Sequence, residues 1–492
     1  MRQRSRRLLT SGAVFAALLL AAGCGGSTTS KAGGGIGGAG AELVTSNALA
    51  YASIDGDLSS SRWQQLGQLL QKFPIRDQLL TKLEDALAKK DINYERDVKP
   101  ALGSELDFAA AGGAGGEKPS YIAFTKPDSL LKAKELVNKL AAGTPTATRE
   151  VDGWLVVADN AAMIDAVLKG SGSSLGDDSA FKDGFGSLPD DAIAKAYANG
   201  PQLTKLVGSL SVATTAALDT SSQPKLDWLA ASLVPEGNGL KLAVDVKSPN
   251  GADFTGAPYS SKLITGVPTD AIAFLSFPGS GATSQLDSLK QNPMFSYALT
   301  EIERELGMSL DSLYALFGHE VAFYVRRGPG LPEFSLVLEE PDTEQALTTL
   351  DRLGVRIAKL ANAQLGTEQQ GGLQVKTLNF GPVTVRWAGF DGRVLITTSP
   401  TGIDDYRSGG DKLADNSTYK DALSAAGAPD QTLGLIYVNV GDAVDLIKGY
   451  AGLSGDKLPP DVLENLKPLH SVVAYGDRNG DITRGTAFFE VK

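Results

Sequence analysis

One thiol is the first side chain in this sequence whose type and position indicate a chemical role. Cys24 is the only cysteine among 492 residues, and it directly follows Leu20-Ala21-Ala22-Gly23. Small residues ahead of a cysteine are typical of the bacterial lipobox, in which a peptidase cuts before the cysteine and the thiol takes a diacylglycerol. A single cysteine that is lipidated forms no disulfide within the chain, and it leaves no free thiol for catalysis. The sequence therefore predicts that Cys24 is a lipidation site.

The segment before this cysteine has the composition of an export signal. Residues 1–23 contain four arginines and no acid, followed by an apolar run from Leu8 to Ala22. This run is too short and too weak for a stable membrane span. We expect a lipoprotein signal peptide over residues 1–23, with the general and twin-arginine export routes both open. The protein would be anchored to the cell membrane on its extracytoplasmic side, through the fatty acyl chains on Cys24.

The residues after the cysteine predict a tether. Residues 24–42 are rich in glycine and serine, and such a composition buries too little apolar surface to order itself. The sequence therefore predicts a flexible connection over residues 24–42. Gly35, Gly37 and Gly40 match the spacing of a dinucleotide fingerprint, but we attribute the match to low complexity.

A serine gives the second possible nucleophile. Gly172-Ser173-Ser174-Leu175-Gly176 matches the GxSxG pattern of a hydrolase nucleophile elbow. That elbow requires a strand before the serine and a helix after it. The preceding residues, 161–169, have a helical pattern instead. We therefore interpret the segment as a flexible surface loop and assign no catalytic residue to it.

Histidine offers little for acid–base chemistry or metal binding. The chain has two, His319 and His470. His319-Glu320 begins an HExxH pattern, but Phe323 occupies the position of the second metal ligand. A distant carboxylate could still meet His319 in space, which leaves an acid–base role open. The sequence predicts no metal site and no cofactor.

The remaining acids are placed at turns. Asp477, Asn479 and Asp481 imitate the start of a calcium loop, but the early Gly480 breaks the spacing and favours a hairpin turn. Two other acidic pairs are interpreted as ordinary loop acids: Asp55 with Asp57, and Asp190 with Asp191.

Composition excludes some classes of partner. The net charge is −11, and hydrophobic residues make up 42% of the chain, which is normal for globular protein. Loss of the arginine-rich signal segment would make the rest more acidic. Such a body does not bind nucleic acid or an anionic membrane surface by charge. The length predicts at least two domains.

Short blocks recur in the same order in the two halves of the chain. They predict two tandem related copies, over residues 43–248 and 263–492, joined by a linker at residues 249–262. A change in the spacing of the blocks predicts an insertion near residues 365–385 of the second copy. Among the matching pairs are Ala48–Ile54 with 271–277, 101–108 with 316–323, 178–183 with 416–421, and 196–199 with 436–439.

Each copy has the pattern of an α+β fold. Alternating and helical periodicities follow the order β-α-β-β-α-β, which is typical of a split βαβ unit within a mixed sheet. Added helices, one more strand and a closing hairpin complete the copy. Aromatic side chains that recur in the two copies are predicted to lie in the cores: Tyr51 with Phe274, Phe181 with Tyr419, and Tyr197 with Tyr437.

These features together resemble the DUF3352 family of exported bacterial proteins. The resemblance rests on the lipobox, the Ala48–Ile54 strand, the Leu-Gly-x-Glu block ending at Glu105, and the Ser-x-[Phe/Tyr]-Lys-Asp helix. It extends from about Leu43 to the carboxyl end. Because the family has no established activity, the resemblance implies no enzymatic residues; it supports a two-copy lipoprotein of the cell envelope.

The residues favour a non-enzymatic binding or scaffold role. The predicted partners are the membrane, through Cys24, and either a lipid-like ligand held between the copies or a protein of the envelope. An envelope hydrolase that uses carboxylates, or His319 with a spatial partner, remains the alternative. A dry apolar groove would favour the lipid-like ligand, and a buried acid pair facing a polar cleft would favour the hydrolase. A shallow surface would favour the scaffold.

Overall fold

The computed structural model of the chain describes most of the residues that follow the predicted signal peptide. The described residues are 36–112, 118–141, 144–212, 225–249, 256–279, 293–454 and 459–492. The predicted signal peptide and the predicted lipidation site at Cys24 lie outside them. Among these residues, no helix is both long enough and apolar enough to cross a membrane.

The chain divides into two compact units, each of which combines helices with antiparallel strands. The first unit contains the described residues up to 212, the segment Lys225–Ser248, and the last two residues. The second contains the described residues between Pro249 and Glu490. The predicted α+β class is confirmed at this level.

The first unit contains eight strands and six α-helices among its described residues. The strands are β1 (Ala50–Asp55), β2 (Glu105–Ala111), β3 (Ser120–Thr125), β4 (Ala147–Val151), β5 (Trp154–Ala158), β6 (Ala194–Asn199), β7 (Trp228–Glu236) and β8 (Gly239–Lys247). The helices are α1 (Ser61–Leu70), α2 (Ile75–Ala88), α3 (Leu130–Ala141), α4 (Ala161–Val167), α5 (Ser179–Gly186) and α6 (Gly200–Val212).

The strands of the first unit pair in the order β4-β5-β3-β2-β1-β6-β7-β8, and each of these pairings is antiparallel. The predicted mixed sheet is wrong, because all of these neighbouring strands run antiparallel. The predicted split βαβ arrangement is present, however: β3 and β4 both pair with β5, so they run parallel to each other on either side of it, and α3 connects them. Between β1 and β2, the connection over residues 56–104 holds two helices and returns the chain so that Glu105 lies opposite Asp55.

The second unit begins its strands with β9 and its helices with α7. The strands are β9 (Ala273–Pro278), β10 (Glu320–Arg326), β11 (Glu333–Glu339), β12 (Gln364–Gln370), β13 (Leu373–Asn379), β14 (Thr384–Phe390), β15 (Arg393–Thr397), β16 (Gly434–Asn439), β17 (Leu469–Asn479) and β18 (Ile482–Val491). The helices are α7 (Pro293–Leu306), α8 (Leu310–Tyr314), α9 (Thr343–Ala361), α10 (Gly402–Arg407), α11 (Ser417–Ala426), α12 (Val440–Ser454) and α13 (Pro460–Leu466).

Antiparallel pairing also builds the sheet of the second unit. Its strands follow the order β12-β13-β14-β15-β11-β10-β9-β16-β17. The segment predicted as an insertion, residues 365–385, contains β13 and most of β12. A turn at Gly480, whose φ is +63°, joins β17 to β18 and agrees with the predicted hairpin.

The predicted core aromatics are all buried. Edge-to-face contacts, which are favourable for aromatic rings, join Tyr51 to Phe181 at 5.5 Å and Tyr419 to Tyr437 at 5.0 Å between ring centroids. None of the six is more than 5% exposed: Tyr51, Phe181, Tyr197, Phe274, Tyr419 and Tyr437. The prediction from the sequence is confirmed for these positions.

The predicted tether is too long at its carboxyl end. Residues 36–42 pack against the first unit, with Ile36 buried and a 3₁₀-helix over Ala39–Glu42. The backbone N–H of Gly37 donates to Glu105 Oε1 at 2.8 Å. A buried carboxylate gains stability from such donors, so it holds a glycine-rich segment that composition alone assigns to a tether.

The predicted linker, residues 249–262, is too long for the same reason. Its last residues belong to the second unit, where the backbone N–H of Lys262 donates to Glu320 Oε2 at 2.8 Å and that of Leu263 to the same carboxylate at 3.3 Å. The hydroxyls of Ser261 and Ser276 also donate to Glu320. Glu320 thus closes the start of the 3₁₀-helix at Leu263–Gly266.

We predict that Glu320→Ala destabilises the second unit by about 3 kcal/mol, because buried N–H and O–H groups lose their acceptor. Urea denaturation measures this loss. The exposed Glu84→Ala is the matched control and should change the free energy of unfolding by less than about 0.5 kcal/mol. A Glu320→Ala protein as stable as the control would show that this carboxylate does not hold the segment.

Candidate binding site on the first unit

The predicted surface loop at Ser174 is instead a buried turn. Ser174 has no exposed surface, and its hydroxyl lies 3.0 Å from Glu42 Oε2 and 2.7 Å from Asp177 Oδ2. Backbone hydrogen bonds tie it to the amino-terminal segment, from Leu175 N–H to Val44 C=O at 2.8 Å. The prediction of a flexible loop was wrong, because Glu42 and Val44, which bury this turn, lie far away in the chain. Two carboxylates surround the hydroxyl, an arrangement that holds the turn.

The histidines lie at strand boundaries. His319 precedes β10, where its backbone carbonyl accepts the N–H of Gly279 at 2.7 Å, and His470 lies near the start of β17. Within the described residues, no group of three His, Cys, Asp or Glu side chains could hold a metal ion. The acid–base role of His319 stays a hypothesis.

One predicted loop acid is structural. Asp55 is buried at the end of β1, where it accepts the N–H of Asp57 at 3.0 Å and the hydroxyl of Ser60 at 2.9 Å. Arg62 lies 3.3 Å away in an ion pair. Burial raises the pKa of Asp55, while these partners oppose the rise. Its interpretation as an ordinary loop acid was therefore wrong; Asp190 and Asp191 are exposed.

A buried acid pair lies on one face of β2. Glu105 and Asp107 share this face with Ser53 of β1 because side chains two residues apart point the same way along a strand. Glu105 receives the Gly37 N–H described above, and the Ser53 hydroxyl lies 3.5 Å from it. The 3₁₀-helix Ala39–Glu42 packs over the pair, since a Cβ at Gly40 would meet Asp107 Oδ2 at 2.0 Å.

Asp107 is the more unusual member of this pair. Among the described residues, neither of its oxygens has a hydrogen-bond partner of good geometry, although Ser53 and Tyr51 lie close by, and the side chain is fully buried. Burial, together with the charge of Glu105, raises the pKa of Asp107 to about 8, while the hydroxyls of Ser53 and Tyr51 oppose the rise. The carboxyl is therefore mostly protonated at neutral pH. Sequence alone does not identify Asp107, because alternation in Glu-Leu-Asp-Phe does not reveal which face of the strand is buried.

The opposite face of the same strands carries a groove. Its volume is about 450 Å³, and its walls are formed only by apolar and aromatic residues. The lining residues are Ala50, Tyr51, Ala52, Phe108, Ala109, Ala110, Tyr121, Ile122, Ala196, Tyr197, Ala198, Leu229, Ala230 and Ala231. Pockets of this size and composition are typical of sites for apolar small molecules.

Short side chains on three neighbouring strands form the floor of the groove. Ala52 of β1 lies opposite Ala196 of β6, which in turn lies opposite Ala231 of β7. On the other side of β1, Phe108 is paired with Ala52 and supplies a wall. Tyr121 stands at the rim, 48% exposed. The groove exists because alanine leaves space that a longer side chain would fill.

The sequence blocks predicted to correspond match Ala52 to Leu275 and Ala196 to Ile436, which are larger side chains. In the strand triplet β10-β9-β16, Leu275 lies between Phe323 and Ile436. Phe323 also stacks on Phe334 at 6.1 Å between ring centroids. The same pattern of strand pairing therefore carries bulky apolar side chains in the second unit and an alanine floor in the first.

We predict that Asp107→Asn flattens the pH dependence of stability. A folded-state pKa near 8, against an ordinary 3.8, means that the contribution of Asp107 is fully present below pH 3.8 and is lost as the pH rises toward 8. The loss is up to about 1.4 kcal/mol per pH unit. Urea midpoints at pH 5, 6.5 and 8 measure it.

The control for this prediction is Asp191→Asn, which removes an exposed carboxyl and should keep the wild-type slope. If Asp107→Asn also keeps the wild-type slope, Asp107 does not carry the buried proton.

Comparison with solved structures finds a weak likeness to TP0453. Crystal form I of TP0453 shares 12% identity with the chain, covers 46% of the chain and 79% of its own length, and gives a TM-score of 0.24. Crystal form IV, also at 12% identity, covers 48% and 95% with a TM-score of 0.23. Likeness at this level supports no conclusion about fold or function.

Comparison with curated proteins finds no match. A family model described as "Protein of unknown function (DUF3352)" matches residues 8–151. The match begins in the predicted signal peptide and ends with β4, so the wider similarity expected up to the carboxyl end stays a prediction. Residues 8–151, less than half of the chain, are thus similar to the DUF3352 family.

Proposed function

We propose that the chain is an exported lipoprotein whose body binds an apolar, lipid-like molecule in the groove of the first unit and catalyses no reaction. The observation that carries the proposal is a concave site of about 450 Å³ lined only by apolar and aromatic residues. Soluble proteins rarely leave such a surface open unless something binds there.

The shape of the groove suits an alkyl chain. The alanine floor runs across three strands and accepts a narrow, extended shape, and each methylene buried there contributes about 0.8 kcal/mol. The loss of ligand freedom offsets part of this gain. The Tyr121 hydroxyl, at the exposed rim, is suited to meet a polar end of the ligand.

The predicted anchor would keep this groove close to its ligand. Residues 24–35 remain as the tether once residues 36–42 are assigned to the first unit. Fully extended, twelve residues reach about 40 Å at most. A lipoprotein held at Cys24 would therefore carry the groove within reach of membrane lipid on the extracytoplasmic side.

We also propose that the two units are related copies. The pairings around β1 and β9 follow the same scheme, because each lies between a strand that follows helices and a strand that precedes the closing hairpin. Glu105 and Glu320 both hold the segment that begins their unit. On this view, one copy kept alanines and a groove while the other gained larger side chains.

The hydrolase alternative has less support. Glu105 and Asp107 point to the buried face, away from the groove, and both lie under the 3₁₀-helix Ala39–Glu42. The Ser174 hydroxyl lies between two carboxylates rather than beside a histidine. A general acid or base needs access to a substrate, which buried groups of this kind lack.

We predict that the mature chain with Cys24→Ser, exported and purified gently, releases a stoichiometric apolar molecule into organic solvent. Mass spectrometry of the extract detects it, and the substitution removes the anchor as a source of lipid. In the same background, Ala52→Leu with Ala196→Ile introduces the side chains found at Leu275 and Ile436, fills the groove, and should empty the protein.

Ala86→Leu, on the exposed face of α2, is the matched control and should keep the ligand. Equal thermal midpoints would show that the groove variant folds. A folded groove variant that still carries the molecule would refute the groove as its site. If the unmodified groove is empty and takes up no fatty acid on titration, the proposal fails and a scaffold role is favoured.

We predict that Cys24 carries the anchor. Wild-type protein should partition into the detergent phase of a cloud-point extraction, and Cys24→Ser should move it to the aqueous phase, because two or three acyl chains dominate membrane affinity. Intact mass gives a second measurement. Detergent partitioning that survives Cys24→Ser would contradict lipidation at this residue.

A further inference from the structure

A second cavity lies wholly on the second unit and is polar. Its volume is about 480 Å³. Its lining residues are Thr265, Gly266, Phe390, Asp391, Arg393, Asp404, Tyr406, Arg407, Ser408 and Lys412. Three cationic side chains and two carboxylates therefore face one space, in contrast to the apolar groove of the first unit.

One of the three cations is used by the fold. The ammonium of Lys412 donates to the backbone carbonyls of Gly266, Asp405 and Tyr406 at 3.2, 2.8 and 3.1 Å. These bonds hold the end of α10 against the 3₁₀-helix Leu263–Gly266. Lys412 thus shapes the cavity and has little capacity left for a ligand.

The other two cations have no carboxylate partner. Within the described residues, no acidic oxygen lies within 4.0 Å of the guanidinium of Arg393 or of Arg407, although acids outnumber bases in the chain by 57 to 46. By contrast, Arg326 pairs with both Asp270 and Asp405. Two unpaired guanidinium groups at one cavity are therefore available to an anion.

Arg407 is held in position without being neutralised. One of its nitrogens donates to the carbonyl of Gly371 at 3.0 Å, and its guanidinium lies 5.4 Å from the ring centroid of Phe390. A cation over an aromatic face keeps its charge and loses freedom of movement. The group is thus preorganised, which lowers the cost of ordering it when a ligand binds.

We infer that this cavity binds a small polyhydroxy molecule that carries one phosphate monoester, such as a sugar phosphate or the head of a phosphorylated lipid. Arg393 and Arg407 would bind the phosphate, because the planar guanidinium fork matches oxyanion geometry. Asp391 and Asp404 accept hydrogen bonds from hydroxyl groups and disfavour ligands with several anionic groups. The inference is independent of the apolar groove.

Calorimetric titration of the full mature chain tests this inference with three probes: glucose 6-phosphate, inorganic phosphate and glucose. Glucose 6-phosphate should bind more tightly than the other two. Arg393→Gln and Arg407→Gln should each weaken its binding by about tenfold or more. Arg352→Gln, an exposed arginine on α9, gives the same change of charge and should bind as wild type does.

Thermal midpoints of the variants establish that they fold. Wild type that binds neither phosphate probe, or Arg393→Gln and Arg407→Gln variants that bind like Arg352→Gln, would overturn the site. Equal affinity for inorganic phosphate and glucose 6-phosphate would overturn the polyhydroxy part of the inference.

A further arm distinguishes the two sources of the phosphate. Phosphatidylcholine vesicles with and without phosphatidic acid are mixed with the Cys24→Ser chain. Cosedimentation that needs phosphatidic acid and fails with Arg407→Gln would assign the cavity to a lipid head. Binding of glucose 6-phosphate without cosedimentation would assign it to a soluble sugar phosphate.

Discussion

The alternation of side chains along β1 is the constraint on which the first unit depends. Tyr51, Ser53 and Asp55 point to the buried face, and Ala50 and Ala52 point to the groove. A slip of one residue would exchange the two sets, placing polar groups in the groove and alanines in the core. Pairing with β2 on one side and β6 on the other fixes the register and hence both faces.

Buried carboxylates lie at the start of each unit, and they differ in how far hydrogen bonds compensate for their loss of water. Glu105 and Glu320 gain backbone N–H donors from the segment that they hold, and Glu320 gains two hydroxyls as well. Such bonds compensate for the loss of water around the charge. Asp107 receives no backbone N–H within the described part of the chain, and burial raises its pKa to about 8, so that it keeps its proton at neutral pH. The first unit thus tolerates a buried acid that is stable only while it remains neutral.

The two units present opposite chemistry from related strand patterns. In the first, alanines on neighbouring strands leave an apolar groove. In the second, Leu275, Phe323 and Ile436 fill that face, while arginines open a polar cavity near α10. The groove of the first unit results from small side chains, and the polar cavity of the second unit results from arginines without carboxylate partners among the described residues. Neither feature requires a change in the order of the strands.

The sequence by itself determined local and periodic features: the helices α1 to α3, the hairpin at Gly480, the buried aromatics such as Tyr51, and the similarity of residues 8–151 to the DUF3352 family. These depend on near neighbours or on alternation. Only the tertiary structure decided that the strands of the first unit pair antiparallel and that residues 36–42 pack against this unit. It also decided that Ser174 is buried and that the alanines of three neighbouring strands form a groove. Those features depend on partners distant in the chain, and alternation does not reveal which face of a strand is covered.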